Sequence, residues 1–210
     1  MKEKIESEFA LYKKLEIRSK ASNHETIRSA VTILGEELGK KIVELYFLRD
    51  SGVSTPMNAQ ASGRSAEIPL CAVITTSDDF QYLGKGLARH LDEPLKGSMS
   101  FNGQRGLEAL KADISSMNLP NTKEHVDTLI IAKAVLATGC TAVHLAKSAI
   151  SKYSPRRVII ASVYYSNRGL TELSQAIPNA DILLIGDADQ IDEDGMLVPG
   201  VGNLDLRITG

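Results

Sequence analysis

Between His24 and Phe47, apolar residues recur every three or four positions, at Ile27, Ala30, Val31, Leu34, Leu38, Ile42, Leu45 and Tyr46. That spacing lays them along one face of a long helix, with Asn23 placed to cap its start. Asp50-Ser-Gly and the Gly/Ser/Ala-rich stretch around Ala61–Ala66 then read as a loop. From Ile68 onward, short apolar runs alternate with helical patterns. The runs Leu70–Thr75, Asp127–Ala132, Val158–Val163 and Asp181–Ile185 predict strands, and Gly97–Phe101 a shorter extended segment. Helical spacing covers Asp79–His90, Thr141–Lys152 and Asn167–Ala176, while the polar stretch Leu110–Lys123, broken by Leu119-Pro120, reads as helix and then loop. The repeated unit is βαβ, so the expected fold is α/β: a Rossmann-like parallel sheet flanked by helices, with an N-terminal helical segment. The expected division is a helical extension over 1–22 and the main domain over 23–210.

Composition narrows this picture. With 43% hydrophobic residues but only 5% aromatic and no Trp, the core must come mostly from Ile, Leu, Val and Ala. Buried parallel strands use those residues. Charge is denser at the front of the chain, where residues 1–50 hold ten Lys/Arg and nine Asp/Glu. The net charge of −2 supplies no field to hold a nucleic acid by its phosphates. Cys71 and Cys140 lie far apart without CxxC spacing, which suggests neither a zinc site nor a disulfide scaffold and points to a reducing cytoplasm. The charged N-terminus does not fit a signal peptide, and Lys133 interrupts the longest apolar run, Leu129–Leu136, so no membrane span is predicted.

In such sheets ligands sit beyond the carboxyl ends of the strands. Lys133–Thr141 leaves the most apolar strand and enters a helix through Ala137-Thr138-Gly139-Cys140-Thr141. Gly139 permits close backbone approach, Thr138 and Thr141 offer hydroxyls, and free amides at the helix start favour an anion, as a phosphate monoester would require. The alternative is that the small residues only make a tight turn. A Walker A loop is excluded, since no Gly-Lys-Ser/Thr triplet follows. On this reading Gly139→Val blocks phosphate binding without unfolding the chain. Gly195–Gly202 is the second such loop, with exposed peptide groups suited to the edge of a planar base, or simply a hairpin turn. The acid cluster Asp187, Asp189, Asp192, Glu193 and Asp194 departs from calcium-loop spacing at Ile191 and Asp192 and reads as a solvated loop. His24, His90, His125 and His144 form no ligand or nucleophile pattern.

Together the two loops resemble the uracil phosphoribosyltransferase family. Its phosphate loop, Asp-Pro-Met-Leu-Ala-Thr-Gly-Gly-Ser, stands here as Lys133-Ala-Val-Leu136-Ala137-Thr138-Gly139-Cys140-Thr141, and its base-binding Gly-Tyr-Ile-Val-Pro-Gly-Leu-Gly-Asp as Gly195-Met196-Leu197-Val198-Pro199-Gly200-Val201-Gly202-Asn203. The resemblance extends from about His24 to Gly210. It implies a phosphoribosyltransferase fold and transfer of phosphoribosyl from 5-phosphoribosyl diphosphate (PRPP) to uracil, giving UMP and pyrophosphate. Ala137, Thr138, Gly139, Cys140, Thr141 and Thr76 would hold PRPP; Met196, Leu197, Val198, Gly200 and Gly202 would face the base; and Lys133 and Asn203 would stand at catalytic positions. It further implies Mg²⁺ carried with PRPP and no resident metal site, a homodimer formed through the long helix, and neither nucleic acid nor membrane as partner.

Departures cluster around the diphosphate. Where the family has Leu-Arg-Ala-Gly after the first sheet strand, this chain has Thr75-Thr76-Ser77-Asp78, and Tyr-Arg-Asp-Glu after the next becomes Met99-Ser100-Phe101-Asn102. Both family arginines are replaced. Arg105, Lys133 and Arg168 are the candidate cations to fold in and replace them. The alternatives to uracil transfer are a non-catalytic nucleotide-binding homologue and a transferase for another base.

Overall fold

Strand β4 (Cys71–Thr76) lies in the interior of a seven-stranded sheet, and every one of its residues is buried. It pairs in parallel with β5 (Leu95–Phe101) on one side and β7 (Thr128–Leu136) on the other. The register with β7 runs from Cys71 opposite Thr128 to Thr75 opposite Ala132. Beyond β7 come β8 (Arg157–Tyr165), β9 (Asp181–Ile185) and β1 (Lys2–Ile5), all parallel, while β6 (Ile114–Asn118) closes the far edge antiparallel to β5. The sheet order is therefore β1-β9-β8-β7-β4-β5-β6. This computed structural model describes residues 1–101 and 114–210.

Helices cover both faces, as the continuous apolar character of the central strands requires. On one face lie α1 (Glu8–Arg18), α2 (His24–Ile42), α4 (Lys85–Ala88) and α7 (Leu204–Thr209), which share a core with Val73, Ile130, Ala132 and Leu183. On the other, α5 (Cys140–Tyr153) and α6 (Asn167–Ala176) pack on Ile74, Leu129, Ile131 and Leu184. Helix α2 has the predicted face: Ile27, Ala30, Val31, Leu34, Leu38 and Ile42 are all buried, and Asn23 caps it by accepting from the Thr26 amide at 2.8 Å. A π turn over Val43–Phe47 extends it. The predicted Asp79–His90 helix starts earlier and is interrupted, with α3 (Ser77–Asp79) joined to α4 by a π turn over Phe80–Gly84. Helix α2 approaches this segment so closely that a Cβ on Gly35 would collide with the Leu83 carbonyl oxygen.

Three elements depart from the pattern-based reading. Residues 48–66, expected as a loop, form an antiparallel hairpin of β2 (Leu48–Ser54) and β3 (Gln60–Ala66). Almost all of its side chains are exposed, so neither face had to be apolar and alternation carried no signal. The stretch expected to be helical near Leu110–Lys123 contains β6, whose residues are likewise all exposed; the part of that expectation in 110–113 lies outside the described residues. The charged start of the chain contributes β1 to the sheet, and only Ile5 in it is buried. Residues 1–22 thus hold a sheet strand as well as the expected helix α1. No described helix is long and apolar enough to cross a membrane.

Helix α1 is tied down by Lys14, which is only 5% exposed and donates to the carbonyl oxygens of Ile185 at 2.5 Å and Asp187 at 3.1 Å. Burial, together with neighbouring Arg18, lowers its pKa from 10.5 to about 8. Between these values the unfolded chain binds a proton that the folded chain has released, so this group makes stability rise with pH. Below about pH 8 its desolvation penalty is fully present. The unfolding free energy of the protein relative to Lys14→Met should therefore climb from pH 8 to 10.5, by on the order of 1–3 kcal/mol. Urea unfolding of both proteins across that range checks it; a pH-independent difference counts against the buried ammonium.

Candidate active site

The chain runs from β4 outward to β5, then returns on the other side of β4 to β7, so the connections diverge between β4 and β7. Such a switch point opens a crevice at the carboxyl ends of the strands. A cavity of about 600 Å³ lies there, lined by the ends of β4, β5 and β7, the loop into α5, and the segment Gly195–Gly202.

The wall at β7 is built from the loop Ala137–Gly139. Gly139 takes a left-handed conformation, φ +83°, immediately before α5. Here a side chain is excluded twice, by that backbone and by a neighbour, since a Cβ would sit 2.7 Å from the Gly169 carbonyl oxygen. Ser166, which caps α6, fastens the same loop by donating its hydroxyl to the Ala137 carbonyl at 2.6 Å and its amide to the Leu136 carbonyl at 3.1 Å. Gly139 is thus needed for the packing of α6 as well as for an open approach, which revises the expectation that its replacement would leave folding untouched. Gly139→Ala should cost about 2 kcal/mol in denaturant unfolding, and Gly139→Val more.

The opposite wall follows β10 (Gln190–Ile191) and β11 (Leu197–Val198), a small antiparallel hairpin separate from the main sheet. Asp192 organises its turn, its carboxylate accepting from the amides of Asp194 at 3.1 Å and Met196 at 2.8 Å. Part of the acid cluster is therefore a turn device. Asp187 pairs with Lys4 and Asp189 with Arg18. Among the described residues no three His, Cys, Asp or Glu side chains cluster to hold a metal.

Between the walls lies a buried ion pair. Lys133 on β7 donates to the Asp79 carboxylate at 2.6 Å, and the same oxygen accepts the Thr76 hydroxyl at 2.8 Å. The Asp79 side chain is 2% exposed and that of Lys133 16%. Lys133 is the one Lys or Arg among the described lining residues; Asp78 and Asp205 supply negative charge. Ser77 and Ser100 bond through their hydroxyls at 2.6 Å beside them.

Of the residues singled out from sequence, Thr76, Lys133, Ala137, Thr138, Gly139, Thr141, Met196, Leu197 and Gly202 line this cavity, as does Ser100. Cys140, Val198, Gly200 and Asn203 do not. Asn203 caps α7, accepting from the Leu206 amide at 3.2 Å, while Cys140 begins α5 with its sulfur accepting the Thr138 hydroxyl at 3.4 Å. Arg168 is exposed on α6 away from the lining, and Asn102 and Arg105 lie outside the described residues. Ser77 and Asp78, from the segment already singled out after the first sheet strand, line the cavity too. Sequence reasoning missed Asp205, which arrives only through the docking of α7. It missed Asp79 as well, because nothing local marks a carboxylate whose partner is 54 residues away.

Removing Lys133 would leave Asp79 buried with the Thr76 hydroxyl as its one side-chain partner among the described residues. Lys133→Met should destabilise the fold by about 3 kcal/mol, and Lys133→Met combined with Asp79→Asn by clearly less, as measured by urea unfolding.

The sequence profile of the family described as uracil phosphoribosyltransferase matches residues 6–208. The uracil phosphoribosyltransferase of Sulfolobus acidocaldarius is 29% identical over 205 residues, covering 93% of each chain. That of Natronomonas pharaonis is 26% identical over 206 residues, covering 93% of this chain and 90% of its own. The solved structure of the AQ2163 protein from Aquifex aeolicus shares the fold, with a TM-score of 0.81 at 19% identity over 99% of this chain and 97% of that one.

Proposed function

The chain belongs to the uracil phosphoribosyltransferase family, and from that premise we propose that its cavity transfers phosphoribosyl from PRPP to N1 of uracil, giving UMP and pyrophosphate. The observation that carries this reading is the meeting of two sequence-distant loops, Ala137–Thr141 and Gly195–Gly202, on one cavity at the switch point of the sheet. The C1–oxygen bond to pyrophosphate breaks and the C1–N1 bond to the base forms, with the N1 proton released. Holding PRPP and the base in line supplies a substantial share of the acceleration in such a displacement.

The residues divide the task. The amides at the start of α5, which have no side-chain cap among the described residues, suit the 5-phosphate together with the Thr138 and Thr141 hydroxyls. Lys133, bonded to Asp79, is the lining cation this reading assigns to the leaving group. Backbone groups of Leu197–Gly202 present hydrogen-bonding partners to the base, and Met196 covers it. Mg²⁺ carried with PRPP as part of the substrate would neutralise charge on the pyrophosphate, and Asp78 and Asp205 are the lining carboxylates that would face it. A homodimer and a cytoplasmic setting complete this reading.

One observation favours a second reading, a member of the family that binds UMP without turnover: the single cation on the described lining, Lys133, is already engaged by Asp79. Incubation with PRPP, Mg²⁺ and uracil is expected to release pyrophosphate and form UMP. Absence of turnover with every nucleobase sinks the enzymatic reading, and tight UMP binding in calorimetry then supports the second. Turnover with a different base alone would keep the chemistry and change the specificity.

A further inference from the structure

Two arginines outside the cavity grip the loop that forms its far wall. Arg18, at the end of α1, donates to both carboxylate oxygens of Asp189, at 2.6 and 2.9 Å, and to the Gly200 carbonyl at 2.8 Å. Its guanidinium lies 4.8 Å from the centre of the Tyr164 ring, which fixes its plane. Arg207, on α7, donates to the Val201 carbonyl at 2.9 Å and to the carbonyls of Ile17 and Ser19 at the end of α1, each at 2.6 Å. Two successive carbonyls of the loop are thus turned toward arginines.

The peptide bonds joining Gly200 to Val201 and Val201 to Gly202 are trans. In a planar trans peptide the N–H points opposite to the C=O. The Val201 and Gly202 amides therefore point away from Arg18 and Arg207, and neither has a hydrogen-bond partner among the described residues. Both residues line the cavity. We propose that Arg18 and Arg207 are positioning residues that rotate these two peptide planes, so that the Val201 and Gly202 N–H groups form the donor edge that reads an oxygen-bearing base.

The same grip reaches the first loop as well, indirectly. Asp189, held by Arg18, bridges to Ser166 and donates its own amide to the Tyr165 carbonyl, and Ser166 holds the Ala137 carbonyl of the phosphate-side loop. Arg18 therefore holds the second loop directly, at the Gly200 carbonyl, and reaches the first only through Asp189 and Ser166, while lying off the cavity lining. The inference rests on the base being read by the second loop, as in the proposed function.

Calorimetry of Arg18→Met with UMP and with ribose 5-phosphate tests it, with thermal unfolding measured alongside. UMP affinity is expected to fall about tenfold, as for a misdirected hydrogen bond. Ribose 5-phosphate affinity should change by less than about twofold, because the helix α5 end is untouched, and Arg18→Lys, which keeps one bond to Asp189, should recover part of the loss. Equal weakening of both ligands, an unchanged UMP affinity, or a wild-type protein that binds UMP no better than ribose 5-phosphate overturns the proposal. Should Arg18→Met fail to fold, Arg18→Lys and Arg207→Lys carry the same pair of measurements. Binding of UMP by the wild type with no pyrophosphate release defeats turnover alone and leaves the comparison of the two ligands readable.

Discussion

The parallel pairing of β4 with β7 is the constraint on which the rest of the structure depends. Both strands are nearly all buried, so helices must cover both faces, and each parallel connection must cross over by a helix. Because β5 leaves β4 on one side and β7 returns on the other, the crossovers part above this pair. The cavity is the gap they leave. Each loop on it is anchored to a helix start or a strand end, which gives it a rigid frame without a large aromatic core.

Electrostatically the site is economical. Its lining holds one described cation, and that cation is neutralised by Asp79 beneath it, with Thr76 completing the carboxylate's bonds. Such a pair is costly to break but adds little net stability over apolar replacements. Its value lies in holding a flexible lysine at one place on the cavity floor. Charge that does strengthen the architecture sits behind the wall instead, in Arg18, Asp189 and Arg207, where guanidinium groups bind carbonyl oxygens that would otherwise be left without partners. Helix α1 thereby becomes part of the site's frame, although it is remote from the two loops in sequence.

Legibility followed burial. The central strands and helices α2, α5 and α6 were readable because one stripe or both faces had to be apolar, and periodicity reports that directly. The hairpin β2–β3 and strands β1 and β6 were not, since their stability comes from backbone pairing at exposed positions that any polar sequence can occupy. The same division holds within the site. Thr138, Gly139 and Thr141 were visible as a small-residue turn between a strand and a helix, where local geometry demands those residue types. Asn203 lies off the lining and caps α7, a role that an Asn after a glycine turn fills equally well and that only the docking of the helix reveals.

By itself, the sequence determined that this chain would build an aliphatic parallel sheet and put two short, glycine-bearing loops at strand ends. These are consequences of local periodicity and of backbone conformations that only particular residues adopt. Tertiary structure alone decided that the loops share one cavity, that Lys133 is spoken for by Asp79, and that Arg18 and Arg207 aim the peptides of the second loop. Those are pairings across 54, 182 and 6 residues. Even the shortest of them spans a turn whose course depends on the docking of α1 and α7, because a hydrogen bond or ion pair is selected by where folding brings its partners.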